Sequence, residues 1–229
     1  MTAQSEKIAA VEKAVQDSPG TIVPRIVLID TNCFIRLYQS PVLPFLGETI
    51  NGHHLLTLPS LIQEFLSSPR LMNEYAWLAR VVKKENLTKA AIQLGAKEQQ
   101  QVTQEIDAHT DYVNETVAAY CAQANIRERQ LSRRDCELLA TAIVLDALIA
   151  TDEWPLAFVV GDLLSEPDDG YKIGVITSVH ILHLFECGGQ ISPAQRRETV
   201  QSWLKNDEKL HRDWRAVYQQ LFGEKAPTL

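Results

Sequence analysis

The chain has 229 residues, of which 45% are hydrophobic and 22% are charged, and its formal net charge is −7. This is the composition of an ordinary globular protein, which can bury a full core without disulfides or structural metals. The negative charge disfavours binding of nucleic acid over the whole surface. It does not exclude a nuclease, because bound divalent cations would invert the field of clustered carboxylates.

Cysteine usage and the N-terminal sequence predict a cytoplasmic protein. The four cysteines form no CxxC pair, so the sequence signals neither a zinc site nor a thioredoxin-like motif. The N-terminal segment is too charged for a secretory signal, and scattered cysteines without such a signal are typical of a reducing compartment. No apolar run approaches about 18 residues, so we expect no membrane span.

Three regions are expected along the chain. Residues 1–24 contain a short amphipathic helix over 5–17. The main domain is expected over 25–187, and it includes a helical section at about 70–130 that is longer than an ordinary α/β connection. Residues 188–229 are expected to form a C-terminal helical extension.

The main domain alternates short apolar strands with helices. Its first strand is predicted at Arg25–Ile29, an apolar run that stops on the carboxylate of Asp30. The later elements, in chain order, are predicted as a helix over 32–39, a strand over 54–58, a helix over 59–66, a helix over 135–146, a strand over 147–151, a helix over 153–164, a loop over 166–170, a strand over 172–177, a helix from 178 and two helices within 193–222. This alternation predicts an α/β fold in which helices cover both faces of a parallel sheet.

Four carboxylates are predicted to meet at one edge of this sheet. Asp30 follows the first strand, Glu64 lies in the first turns of the helix after the second strand, Asp135 begins a helix and Asp152 closes the next strand. In a parallel α/β sheet, helix N-termini and the carboxyl ends of strands share one edge. A helix of about 12 residues descends roughly 18 Å, and a strand of about 5 residues climbs roughly 16 Å. Asp152 therefore returns to the level of Asp135.

Such a group of carboxylates predicts a site for hard divalent cations. Close carboxylates repel one another and cannot all ionise unaided. Mg²⁺ prefers one or two carboxylates together with water and phosphate oxygens, and two such ions can clamp the attacking and leaving oxygens of a phosphodiester. The expected chemistry is metal-assisted hydrolysis, with activity that rises from acid toward neutral pH as the carboxylates ionise.

Each carboxylate also has a purely structural interpretation. The segment Ser132-Arg-Arg-Asp135 has the spacing of a capping box. Glu64 alone is more often a solvated helix residue, and Asp152 could be the N-cap of the helix that follows it. Asp30 is harder to explain in this way, because a charge at the end of a buried strand must be neutralised. The functional interpretation therefore depends on the four residues together.

These motifs, taken in order, resemble those of the PIN-domain ribonucleases. The family has a first strand ending in Asp-x-(Asn/Ser), a Glu early in the second helix, an Asp that opens a helix rich in Ala and Leu, and a Thr-Asp pair after a short apolar strand. The matching segments are Leu28-Ile-Asp30-Thr-Asn32, Ile62-Gln-Glu64-Phe65, Arg134-Asp135-Cys-Glu-Leu-Leu-Ala and Ala150-Thr151-Asp152-Glu153. The resemblance covers roughly residues 25–66 and 130–186.

The resemblance implies a three-layer α/β/α domain and an endoribonuclease that depends on Mg²⁺ or Mn²⁺. It implies that the four carboxylates are the catalytic metal ligands. It further implies that Asn32 and Thr151 orient water or ligands around them, and that Glu153 is either a further ligand or a solvated residue at a helix start. The chain also looks like the VapC-type toxins of bacterial toxin–antitoxin modules, which often dimerise, so an antitoxin protein and a second copy of the chain join RNA as expected partners. The long helical section, the C-terminal region and the acidity depart from those toxins.

A basic cluster precedes Asp135. Arg127, Arg129, Arg133 and Arg134 could grip phosphates beside the metal site. They could equally be solvated charges near the C-terminus of a helix. The sequence leaves both interpretations open.

Two other functions also remain open. A non-catalytic PIN-like module that binds RNA or a protein partner is favoured by the acidic composition and by the length of the helical additions. A phosphatase of the haloacid dehalogenase type also begins with a strand that ends in Asp. That chemistry needs a second carboxylate two residues later, where this chain has Asn32.

Overall fold

The computed structural model describes residues 24–69, 73, 84–164 and 172–228. Its strands are β1 Arg25–Ile29, β2 Thr49–Ile50, β3 His53–Leu56, β4 Leu148–Ala150 and β5 Gly174–Ile176. They form one sheet in the order β2-β3-β1-β4-β5, in which β3, β1, β4 and β5 run parallel and β2 runs antiparallel to β3. The mostly parallel sheet confirms the α/β class predicted from the sequence.

Helices connect these strands and follow the last of them. Their bounds are α1 Thr31–Tyr38, α2 Pro59–Ser67, α3 Lys84–Ala90, α4 Ala96–Gln123, α5 Arg133–Val144, α6 Trp154–Leu163, α7 Ser178–Cys187, α8 Pro193–Lys205 and α9 Trp214–Phe222. A short 3-10 helix, Leu43–Phe45, lies between α1 and β2.

Strand β1 is buried on both faces because its side chains alternate between two cores. Val27 and Ile29 join the core formed with α1, α7, α8 and α9. Leu28 joins the opposite core, which is built mainly from α2, α4, α5 and α6. A continuous apolar strand is therefore required here, and it explains why the sequence is uniformly apolar up to Asp30.

The carboxyl ends of β1 and β4 lie side by side. The N–H of Asp30 donates to the carbonyl of Ala150 at 3.0 Å, and the N–H of Thr151 donates to the carbonyl of Ile176 at 2.9 Å. These bonds extend the parallel ladder by one residue beyond each strand. They bring the residues that follow β1 and β4 to the same edge of the sheet.

The C-terminal helices pack directly on the sheet domain. Trp203, Trp214 and Tyr218 are buried in the same core as β1. The indole N–H of Trp203 donates to the backbone carbonyl of Arg36 in α1 at 3.2 Å. Residues 188–228 therefore help to fix the position of α1 beside the sheet edge.

The sequence did not predict β2. Its turn contains Asn51 and Gly52, both with positive φ (48° and 75°), which is the backbone of a two-residue hairpin turn with the favoured Asn-Gly sequence. The Asn-Gly pair was the available signal, and the strand was missed because it is only two residues long.

The prediction of a helical section up to about residue 130 is wrong at its end. Helix α4 ends at Gln123, and Asn125 takes a positive φ of 50° that stops helix propagation. The section also carries a parallel bridge between Thr57 and Ala91, beyond the end of β3. The predicted helix over 5–17, the loop over 166–170 and most of 70–83 lie outside the described residues. Among the helices that are described, none has the length and apolarity needed to cross a bilayer.

Candidate active site

Asp30 is a buried carboxylate with both oxygens hydrogen-bonded. It is the N-cap of α1: one oxygen accepts from the backbone N–H of Cys33 at 2.6 Å. The other accepts from the Thr151 hydroxyl. The residue is only 5% exposed, and this burial raises the pKa of Asp30 to about 7 although the two hydrogen bonds and Arg36 oppose the shift. At neutral pH its charge is therefore only partly formed.

Asp152 follows β4 at the same edge, and its side chain is wholly buried. One carboxylate oxygen, Oδ2, accepts from Arg36 and from the Ser178 hydroxyl. The other oxygen, Oδ1, is buried without a hydrogen-bond partner among the described residues. A buried oxygen of this kind is costly unless a donor or a cation meets it. The nearby negative charge of Asp152 also contributes to the raised pKa of Asp30.

Arg36 is a buried cation that the sequence did not reveal as a site residue. Besides its ion pair with Asp152, its Nη1 lies 3.2 Å from the Ser178 hydroxyl. Its Nη2 donates to the carbonyl of Lys209 at 2.7 Å, and its Nε lies 3.3 Å from a Glu208 carboxylate oxygen. One guanidinium thus joins Asp152 to the segment between α8 and α9, which no local sequence pattern could have indicated.

Glu153 lies at this edge, immediately before α6. Its carboxylate accepts from the Asn32 amide, and its N–H donates to the Thr151 hydroxyl at 3.0 Å. Solvent reaches the Glu153 side chain, but neighbouring residues displace part of its hydration shell. That desolvation, followed by the charge of Asp135, raises the pKa of Glu153. Glu153, rather than Asp152, is the N-cap residue of α6, so the structural interpretation of Asp152 as a helix cap is wrong.

Asp135 and Glu64 lie in more solvated surroundings. Asp135 completes the predicted capping box: its Oδ2 accepts from the Ser132 N–H at 3.0 Å and from the Ser132 hydroxyl at 2.8 Å. Glu64 lies 3.3 Å from the Nε of Arg134, and both side chains are about one-third exposed. Each of these carboxylates therefore already has a partner of its own.

The predicted quartet is only partly assembled in the structure. Asp30 and Asp152 share the buried edge, and Asp135 is close enough to Glu153 to raise the pKa of that residue. Glu64 is held by Arg134. Within residues 24–69, 84–164 and 172–228, no three His, Cys, Asp or Glu side chains are arranged to hold a metal ion.

A cavity of about 1000 Å³ opens beside the buried edge. Residues from four parts of the chain line it. They are Asn32, Arg36 and Gln39; Tyr120, Ala124, Ile126 and Arg129; Asp152, Glu153, Trp154, Pro155, Ala157 and Phe158; and 206–212 between α8 and α9. The cavity is large enough for a small-molecule-sized ligand. Of the predicted basic cluster, Arg129 lines this cavity, whereas Arg134 is paired with Glu64 and also donates to the Ser60 carbonyl.

The buried edge presents two carboxylates, Asp30 and Asp152, instead of the four-carboxylate cluster expected from the sequence. The donors are all oxygens, as Mg²⁺ and Mn²⁺ prefer. The unpartnered Oδ1 of Asp152 is free to accept from a donor or a cation, whereas burial is the main cause of the raised pKa of Asp30. Arg36 already supplies one positive charge to Asp152.

Comparison of the chain with protein-family models, with curated proteins and with solved structures gave no match.

Proposed function

We propose that the protein is a divalent-metal-dependent endoribonuclease of PIN type. The observation that carries this proposal is the pair Asp30 and Asp152, two buried carboxylates at the ends of adjacent parallel strands. Such pairs are rare in protein interiors unless a function retains them. Asp152 and Glu153 border a cavity beside this pair, so a substrate bound there would lie next to the carboxylate edge.

In this proposal the chain's own residues hold and orient the reacting groups. Asp30 and Asp152 would hold Mg²⁺ or Mn²⁺ together with water and phosphate oxygens, and Glu153 on the cavity side would orient such water. Thr151 fixes the orientation of Asp30, and Asn32 fixes that of Glu153. A bound divalent cation would supply charge stabilisation to the phosphodiester oxygens and would activate water as the nucleophile.

The test is cleavage of a labelled single-stranded RNA by purified protein with Mg²⁺ or Mn²⁺, and with EDTA as the metal-free control. Asp30→Asn keeps an acceptor for the Cys33 N–H but removes the charge, so we expect cleavage to fall below detection while the fold is retained. Asp111→Asn, on the exposed surface of α4, is the matched control and should cleave like the wild type. Undiminished cleavage by Asp30→Asn would overturn the proposal.

A second candidate is a non-catalytic module that binds RNA or a protein partner. Specific observations favour it: Arg36 already neutralises Asp152, and Arg134 already neutralises Glu64. Arginines of the chain itself would then take the place of metal ions. Under this alternative the wild type would bind a partner but would not cleave RNA under any metal condition.

A further inference from the structure

Three aromatic rings line the cavity beside the carboxylate edge. Tyr120 at the end of α4 lies against Trp154 and Phe158 of α6, with ring centroids 5.2 and 4.4 Å apart. All three are half-buried, and all three border the cavity. We call these three residues the aromatic platform. By contrast, Trp203 and Trp214 are buried in the core of the protein.

Packing between α4 and α6 explains part of this arrangement. The side of α4 that faces the core is filled by smaller buried side chains, Val113, Val117 and Cys121. Tyr120 lies between Val117 and Cys121 in α4 but is less buried than either of them. The three rings therefore pack against one another and also border the cavity.

Cationic side chains from two separate segments border the same cavity. Arg129 comes from the connection between α4 and α5, and Lys209 and Arg212 come from the segment between α8 and α9. Neither Arg129 nor Lys209 forms an ion pair within the described part of the chain. The acidic side chains of Asp207 and Glu208 also border the cavity, but Glu208 faces the buried Arg36. Arg212 lies 3.5 Å from an Asp213 carboxylate oxygen. Asp152 and Glu153 add two more carboxylates to the lining, so Arg129 and Lys209 are the cations that remain for an anionic ligand.

We propose that this cavity binds an unpaired nucleotide of single-stranded RNA, with its base stacked on the aromatic platform and its phosphates near Arg129 and Lys209. The identity of the strand as a substrate rests on the proposed function. Every base has a π-face, and a groove that combines aromatic rings with cations binds single strands with little sequence preference. Asp152 and Glu153 line the same cavity, so a strand held on the platform would have its backbone beside the carboxylate edge.

The size of the cavity favours a single strand over a duplex. Its volume of about 1000 Å³ is that of a small-ligand site and is too small for a helix of paired bases. In A-form duplexes the bases are stacked on each other and are not free to stack on protein side chains. A duplex should therefore compete poorly for this cavity.

The experiment measures binding of a fluorescein-labelled single-stranded RNA of about eight nucleotides by anisotropy. EDTA is present, so that neither metal nor cleavage enters the result. The double variant Tyr120→Leu, Phe158→Leu keeps apolar bulk but removes two aromatic faces. We expect it to bind about tenfold or more weakly than the wild type. Arg129→Gln should weaken binding and reduce its dependence on salt.

The matched control is Tyr112→Leu, an exposed aromatic on the same helix and outside the cavity. It should bind like the wild type, and a blunt RNA duplex of equal length should compete at least tenfold less well than the unlabelled single strand. Circular dichroism and thermal melting establish that each variant is folded. If the double variant does not fold, Phe158→Leu alone replaces it, with a smaller loss of binding in the same direction.

The proposal is overturned by any of three results: a wild type that does not bind the single strand, platform variants that bind like the wild type, or a duplex that competes as well as the single strand. These binding results do not decide whether the protein is a metal-dependent nuclease. Binding through the platform without metal-dependent cleavage would refute the nuclease and leave the nucleotide site intact. If the platform variants cleave RNA as well as the wild type does, the nucleotide site is refuted and the nuclease is retained.

Discussion

Two pairs of carboxylates that the sequence places in one group have very different surroundings. The inner pair, Asp30 and Asp152, is buried at the ends of β1 and β4. The outer pair, Glu64 and Asp135, lies in the first turns of α2 and α5, where solvent reaches it. Burial raises the pKa of Asp30, and one oxygen of Asp152 has no partner in the described residues. The outer pair is satisfied by Arg134 and Ser132.

The difference shows that position in the fold, more than residue type, decides what a carboxylate can do. An exposed carboxylate at a helix start stabilises the helix at little cost. A buried one must be compensated by a cation or remain partly protonated. The inner pair is therefore where the need for a cation is strongest, and the predictions below test that contrast.

The largest expected effect is that of removing the internal cation. Arg36→Met would leave Asp152 buried without its ion pair, and we expect the free energy of unfolding to fall by about 3–5 kcal/mol. Urea unfolding at pH 7 measures this loss. Arg197→Met, which removes an exposed partner of Glu224, is the control and should change little. A loss below about 1 kcal/mol for Arg36→Met would show that Asp152 does not depend on this arginine.

The second effect is a pH dependence that belongs to Asp30. Its pKa is raised in the folded state, so its contribution to stability is fully present below the unfolded value near 3.8 and is lost as pH rises through about 7. This interval corresponds to at most about 4 kcal/mol, at about 1.4 kcal/mol per pH unit. In EDTA, the wild type should lose stability relative to Asp30→Asn as the pH is raised from 4 to 8. Parallel stability curves for the two proteins would contradict the raised pKa.

A smaller effect is expected at the helix start that holds Asp135. Ser132→Ala removes the hydroxyl that accepts from the Asp135 N–H at 3.2 Å and donates to its carboxylate. The expected loss is about 1 kcal/mol in the free energy of unfolding, measured by thermal or urea unfolding. Ser192→Ala removes the equivalent hydroxyl from the capping box of α8 and is the matched control for α5. A loss several times larger at Ser132 than at Ser192 would mean that Asp135 has a role beyond capping.

The smallest effect on stability is expected for Glu64→Gln. Its ion pair with Arg134 is partly exposed, so the free energy of unfolding should fall by less than about 1 kcal/mol. RNA cleavage separates the two interpretations of this residue. If Glu64 is a metal ligand, Glu64→Gln loses most of the RNA cleavage activity. If Glu64 serves only the ion pair, the variant cleaves RNA like the wild type and loses only this small amount of stability.

Local sequence patterns predicted much of the fold because the forces involved are local. The apolar run before Asp30, the capping spacing of Ser132 and Asp135, and the alternation of strands and helices each depend on neighbouring residues. The two-residue strand β2 was not predicted, although the Asn51-Gly52 pair signals the turn that follows it. The end of α4 was also predicted too late in the chain, because a single residue with a left-handed backbone, Asn125, stops the helix.

The site was less predictable because its decisive contacts join distant parts of the chain. The sequence shows Arg36 only as one residue of an amphipathic helix. Its partners Asp152, Ser178 and Lys209 are 116, 142 and 173 residues away. The same holds for the aromatic platform, whose rings come from α4 and α6. Only the folded chain brings these groups to one cavity.

The most direct test of the central claim is a calorimetric titration of Mn²⁺ into the metal-free protein, with thermal melting measured in parallel. We expect binding heat and a higher melting temperature for the wild type, loss of both in Asp30→Asn, and their retention, at most weakened, in Asp135→Asn. Absence of both heat and thermal shift in the wild type, or equal binding by Asp30→Asn, would contradict this claim.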